Sequence, residues 1–268
     1  MAGRRVVISS DGGRLRLRET KRGPKTQKGR RRSTGAWREP KVLIVSVVNA
    51  AGKREASFAP FMDATLQGPD AVFALLRPSL QRFEITQADQ VLFLAEGAPW
   101  SWKRVPLLVH ALGLAAEQGH ELLDLYHAVH HLGQVAALRK DWSATARTRW
   151  CTHQRHLLLQ GQVAEVILAV RNLCRGRNSK ALRRHREYLI KNQSRMAYAQ
   201  LMALKLPIGS GAIESTVRRV VNLRLKGPSL FWCRASAEAI LLLRSYYKAG
   251  RWNMLKRMAT SYLALLAA

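Results

Sequence analysis

The chain has 268 residues, with 45 Lys and Arg against 17 Asp and Glu, a net charge of +28 and 47% hydrophobic residues. It is long enough to bury a core, as one large domain or two small ones, and its charge demands a polyanionic partner, duplex DNA or RNA being the commonest. No apolar run approaches the roughly 18 residues of a membrane span, and residues 1–5 carry no signal-peptide pattern. The three cysteines, Cys151, Cys174 and Cys233, are scattered and form no Cys-x-x-Cys. They argue against a disulfide framework or a zinc knuckle and for a reducing cytoplasm.

Val6-Val7-Ile8-Ser9-Ser10 reads as a strand ending in the acid turn Asp11-Gly12-Gly13. With Leu15–Leu17 beyond it, the two glycines suit a hairpin. Residues 21–38 are basic and nearly free of apolar side chains, which predicts a flexible loop between strands. The β-branched run 42–48 predicts a buried central strand. Gly68-Pro69-Asp70 opens a helix with Val72, Leu75, Leu76 and Leu80 at helical spacing and Pro78 as its kink or end. Residues 91–95 form another buried strand, ending at Glu96-Gly97.

Strands interrupted by a helix, each ending in an acid, describe an α/β sheet with functional groups at its carboxyl edge. From 106 to 206 the pattern turns helical, with Leu122-Leu123-Asp124 short enough for a strand or a helix start. Apolar residues at three and four spacing predict helices over 157–170 and 181–204. Pro207-Ile208-Gly209-Ser210-Gly211 breaks the pattern. A further helix follows, with Ile213, Val217, Val220 and Val221 on one face. Residues 234–247 make the last predicted helix, closed by Gly250.

Asp11, Glu96 and Glu214 are candidate catalytic and metal-binding acids. Two-metal phosphodiester chemistry needs converging carboxylates that hold two Mg²⁺ ions about 3.5–4 Å apart, and oxygen ligands suit Mg²⁺. Each acid also has a plain structural role open to it: a turn acid at Asp11, a strand end at Glu96, a helix N-terminus at Glu214 with Arg218 at salt-bridge spacing. Asp124 and His127 share one face of a helix start and could hydrogen-bond to each other or support a metal site. Trp100 and Trp102, just past Glu96, are candidates for base stacking or for ordinary packing.

Together, Asp11-Gly12-Gly13-Arg14, Trp37-Arg38-Glu39-Pro40-Lys41, EGAPWSWKRVP from Glu96, LLDLYHAVHHL from Leu122, CRGRNSKA from Cys174, and LPIGSGAIES leading into VVNLRLKGPSLFW resemble insertion-sequence transposases. The group is the ISKra type, related to the Mutator-like DDE enzymes. The resemblance implies a ribonuclease-H-like α/β mixed sheet with an all-helical insertion between the second and third acids. Residues 1–105 would form the first part of the core, 106–206 the helical insertion, and 207–268 the helices that complete the core.

Carried over, Asp11 matches the first acid, Glu214 the third, and Asp124 and His127 the Asp-x-x-His signature beside the site. The second acid departs from the pattern: Glu96 stands where the family has Asp before Gly-Ala-Pro-Trp. One extra methylene moves a carboxylate by about an ångström, and misplacement on that scale can cost roughly 10²-fold in rate.

The resemblance further implies a Mg²⁺-dependent enzyme, with Mn²⁺ as substitute, that cleaves and transfers DNA strands at element ends and target. It would act as a homo-oligomer on duplex DNA in a prokaryotic, nucleoid-associated setting. The usual upstream DNA-recognition region is expected to be missing. Lys21, Arg22, Lys25, Lys28, Arg30, Arg31, Arg32, Arg218, Arg224 and Lys226 are the expected phosphate contacts. The rival expectations are a catalytically impaired DNA-binding remnant of the same fold and a structural RNA-binding protein.

Overall fold

The computed structural model describes residues 1–21, 23–30, 32–177 and 179–267, the side chains beyond Ser261 excepted. Arg22 and Arg31, two of the expected phosphate contacts, lie outside the described residues. In chain order the strands are β1 (Arg5–Gly12), β2 (Leu15–Thr20), β3 (Ser33–Arg38), β4 (Lys41–Val48) and β5 (Phe61–Thr65). Helix α1 (Pro69–Arg82) leads to β6 (Gln90–Ala95), then α2 (Pro99–Trp102), α3 (Val105–Leu112) and β7 (Gly119–Leu123). Five helices follow: α4 (Leu125–Ala137), α5 (Ala144–Leu159), α6 (Val163–Cys174), α7 (Lys180–Lys191) and α8 (Tyr198–Ala203). The chain closes with α9 (Gly211–Val217), a π-helical turn Arg218–Asn222, α10 (Leu223–Leu225), α11 (Arg234–Lys248) and α12 (Trp252–Ala267). No described helix is long and apolar enough to cross a membrane.

The main sheet has five strands in the order β5-β4-β1-β6-β7, and β2 and β3 form a separate ribbon. β4 runs antiparallel to β1 and to β5, while β6 runs parallel to β1 and to β7. The fold class is therefore α/β with a mixed sheet. Its two faces are covered by different helices. Val6, Ile8, Leu43, Val45, Val91 and Phe93 pack under α1 and α3 through Val72, Leu76, Leu80, Val105 and Leu108. On the other face, Leu92, Leu94 and Leu122 meet the helices from α4 to α8, and Val42, Ile44 and Met62 meet Ile213, Val217, Val220 and Val221. That second face carries the acids.

Several expectations are corrected. The Gly12-Gly13 turn does not close a hairpin: β1 takes β4 and β6 as neighbours, and β2 pairs with β3. The burial pattern gives the reason. Residues 6–10 of β1 are buried on both faces and need a neighbour on each edge, whereas β2 alternates buried Leu15 and Leu17 with outward Arg16 and Arg18. The glycines serve closeness instead, since a Cβ on Gly13 would stand 3.1 Å from both methyls of Val221.

The expected loop over residues 21–38 ends earlier, because Ser33–Arg38 is β3, recruited by pairing with β2 rather than by its own apolar content. Of the two alternatives open at Leu122-Leu123-Asp124 the strand is the one formed: β7 interrupts the stretch 106–206 expected as an all-helical insertion and is the fifth strand of the sheet, so the unbroken helical run starts at Leu125. The helix expected over 157–170 is two helices, parted at Gly161, and that over 181–204 divides after Lys191. Pro78 sits inside α1 without ending it.

Candidate active site

Strand register assembles the acids. Ser10 pairs with Ala95, and Ala95 with Leu123, so the next residue on each chain, Asp11, Glu96 and Asp124, comes side by side across three strand ends. Alternation along the strands turns all three toward the face of Leu94 and Leu122. Glu96 leaves β6 through Gly97, whose φ of +88° is open to glycine at little cost and whose missing side chain makes room for Tyr188. Tyr188 Oη donates to the Glu96 carbonyl at 2.8 Å and pins this bend to α7.

Asp124 is fully buried and caps α4. Its Oδ1 accepts from His127 N at 2.7 Å and meets His127 Nδ1 at 3.1 Å, and its Oδ2 accepts from Ser210 N at 2.5 Å. Burial alone pushes the Asp124 carboxyl up, yet these bonds hold it below its ordinary range. His127 Nε2 in turn reaches Glu96 Oε2 at 3.1 Å. The hydrogen bond to Asp124, then that to Glu96, lifts the imidazole to about 10, so it is a cation at neutral pH. The Asp-x-x-His pair thus bonds Glu96 through the imidazole, with Asp124 on the opposite ring nitrogen.

Asp11 differs from Asp124. Burial, then the repulsion of Glu96, pushes its carboxyl up to about 6, against a single bond from Gly12 N at 2.6 Å. Glu214 lies in the first turn of α9, on the helix that packs over β1 and β4. Its carboxylate is exposed and accepts from Ser210 Oγ at 3.3 Å, the residue whose amide binds Asp124. Glu214 is therefore linked to Asp124 through one serine. Among the described residues no three His, Cys, Asp or Glu side chains form a ready metal cluster. Asp11 and Glu96 do fit a divalent ion in one respect: they are neighbouring, half-buried carboxylates that repel each other, a hard-oxygen donor pair, with His127 already bonded to Glu96.

Lys21, Lys25, Lys28, Arg30, Arg32, Arg218, Arg224 and Lys226 are all exposed. None takes part in an ion pair among the described residues, the expected Glu214–Arg218 bridge included. The stacking expectation for Trp100 and Trp102 is corrected. Trp102 is buried, and Trp100 packs edge-on against Phe73 at 6.5 Å, because α2 folds both rings onto the core.

Sequence reasoning missed a cleft of about 690 Å³ beside Gly97, lined by Lys103, Lys180, Arg183, Arg184, Lys191 and Arg195, with Trp102 and Tyr188 in its wall. The three and four spacing of cations along KALRRHREYLIK was the available signal. No family model, curated protein or solved structure matches this chain.

Proposed function

We propose that the chain is a transposase core of ribonuclease-H-like fold that binds duplex DNA and performs divalent-metal-dependent strand cleavage and transfer. The observation that carries this reading is the register that brings Asp11 and Glu96 to the ends of neighbouring parallel strands, on the sheet face that α9 covers with Ile213 and Val217 while carrying Glu214 in its first turn. The sheet order, three antiparallel strands followed by two parallel ones, supports the fold assignment. The net charge of +28 supports the substrate.

Asp11 and Glu96 would hold the metal, with Glu214 as the third carboxylate from α9. Bound there, divalent ions supply charge stabilisation at the attacking and leaving oxygens of a phosphodiester. His127 holds the Glu96 carboxylate in place, and Asp124 holds the imidazolium. Water would displace the 3′-oxygen of the cut strand, leaving a 3′-hydroxyl and a 5′-phosphate. The freed 3′-hydroxyl would then attack a target phosphodiester and displace the target strand's own 3′-oxygen, which leaves as a hydroxyl. The chain would act as a homo-oligomer on DNA. A second reading, a DNA-binding remnant that no longer cuts, is favoured by the salt bridge that already occupies Glu96 and by the exposed Glu214. Cleavage of a labelled duplex with Mg²⁺ or Mn²⁺ separates the two.

Glu96→Asp withdraws the carboxylate from His127 and shortens it to the length the resembling transposases use. Mg²⁺-dependent cleavage should then rise by about one to two orders of magnitude. Glu96→Gln should abolish it, since shape remains and charge is lost. Equal rates for all three proteins would remove Glu96 from the ligand set.

Affinity for duplex DNA should fall steeply with salt, with a log–log slope of about −0.9 per phosphate contact and little preference among sequences. Replacing Lys25, Lys28, Arg30 and Arg32 together by Ser should flatten that slope by about three to four units while sparing β3. A slope that stays the same would show that these four side chains do not touch phosphate.

A further inference from the structure

The ribbon beyond Asp11 carries an aromatic surface that the active-site acids do not use. In the β2–β3 pairing Arg16 stands directly opposite Trp37, and Arg18 opposite Gly35, so these four share the outward face while Leu15 and Leu17 point into the core. Segment 230–232 extends the ribbon: Trp232 N donates to Arg16 O at 3.0 Å, and Arg18 N to Trp232 O at 2.8 Å. Gly35 has no side chain because Phe231 lies over it, and a Cβ there would collide with the ring. Trp37 is 48% exposed and Phe231 38% exposed, an uncommon state for two large rings on one face.

Cations surround these rings. The Arg16 guanidinium stands 5.2 Å from the centre of Trp37 and 4.7 Å from that of Phe231, and its Nη2 is tied to Gly227 O at 3.1 Å. Arg14 lies 5.4 Å from the Trp37 ring centre, is exposed and has no acid partner among the described residues. Two nearby acids are already neutralised, Glu19 by Arg38 and Glu39 by Lys41. A hollow of about 460 Å³ runs from Trp37 and Arg14 to Gly12 and Gly13, the residues that follow Asp11.

We infer that Trp37, flanked by Arg16 and Phe231, is a stacking platform for an unpaired nucleic-acid base, placed so that the attached strand runs past Asp11. The inference rests on the nucleic-acid reading above and adds the substrate's state: a base out of its helix. At rest the Arg14 guanidinium covers the Trp37 ring in the base's stead. An arriving base takes the ring face, and Arg14 turns to the phosphate. Arg16, fixed by Gly227, stays as the cation beside both rings. Cations with no acid partner around the rings favour a polyanion over an apolar protein partner.

The test compares an oligothymidylate with a blunt duplex of the same length by fluorescence anisotropy, without metal, for the unmodified protein, Trp37→Ala, Trp37→Phe and Arg14→Ala. Trp37→Ala should weaken oligothymidylate binding by about five- to a hundredfold at an unchanged salt slope, because stacking and not charge is lost. Duplex affinity should change by less than about twofold, which also shows that the variant is folded. Trp37→Phe should recover most of the loss, and Arg14→Ala should flatten the oligothymidylate slope by about 0.7, one single-strand phosphate contact. Equal single-strand affinities for Trp37→Ala and the unmodified protein, with duplex binding intact, overturn the platform alone. Parallel losses on both substrates overturn it in favour of a general contact. Failure of the unmodified protein to bind either oligonucleotide overturns the platform and the nucleic-acid reading together.

Discussion

Asp11→Asn should make the metal-free protein more stable while removing its activity. Asp11 rises from an ordinary 3.8 to about 6 through burial and the repulsion of Glu96. A carboxyl raised on folding holds its proton more tightly in the folded state, so its charge costs stability above about pH 6. That cost disappears as the pH falls toward 3.8. Two units correspond to at most about 3 kcal/mol, and partial exposure reduces this to something on the order of 1–2 kcal/mol at pH 7. The variant should therefore melt a few degrees higher at pH 7 and at about the same temperature near pH 4. Millimolar Mg²⁺ or Mn²⁺ should raise the melting temperature of the unmodified protein and leave the variant unmoved. Cleavage should fall by more than roughly a hundredfold, since even groups that only orient metal ligands command 10–100-fold effects. A variant that melts lower at pH 7 would show that Asp11 is a structural turn acid.

Asp124→Ala should be the most destabilising single change in the site. Its carboxylate is fully buried and satisfies the amides of His127 and Ser210 as well as the His127 ring. Removing one partner of a buried pair costs about 3–5 kcal/mol, which lowers the melting temperature by roughly 10 °C in a chain of this size.

The loss should depend on pH in a defined direction. His127 is raised from 6.5 to about 10, so its contribution is complete below 6.5 and is lost as the pH climbs through 10. Asp124 is held below its ordinary range, so its contribution is present above 3.8 and is lost as the pH falls further. Thermal melts of both proteins should differ most between about pH 4 and 6.5 and draw together toward pH 10. A difference that is constant across this range would mean that the imidazolium is not part of the pair.

What the sequence disclosed, and what it withheld, follows from the range of the forces involved. β1, β4 and β6 were legible because their runs of valine, isoleucine and leucine suit only buried strands. The break at Pro207 and the buried face of Ile213, Val217, Val220 and Val221 were legible from local chemistry. The partners of β1 were not, because Asp11-Gly12-Gly13 looks like hairpin chemistry, and it is the distant runs of β4 and β6 that supply strands buried enough to lie beside it.

β5 was missed altogether, since Phe61-Met62-Asp63-Ala64-Thr65 has a buried acid at its centre and no valine or isoleucine. β3 was missed because it is held by β2 rather than by its own side chains. At the site, each acid could be found at the end of its element, but three relations depend on register between separate elements: Asp11 beside Glu96, His127 across Glu96, and Glu214 reaching Asp124 through Ser210. The tryptophans illustrate the same limit. Trp100 and Trp102 lie next to an acid in sequence and pack inward, whereas Trp37 comes to the hollow shared with Gly12 and Gly13 only through the ribbon that carries it.

The central claim is that Asp11 and Glu96 form a divalent-cation site at the end of the sheet. Mn²⁺ titration followed by electron paramagnetic resonance tests it without requiring turnover, on the unmodified protein, Asp11→Asn and Glu96→Gln. Saturable Mn²⁺ uptake by the unmodified protein, displaced by Mg²⁺ and lost in both variants, is the result this account predicts. Absence of saturable uptake by the unmodified protein, or uptake that survives both substitutions, would contradict it.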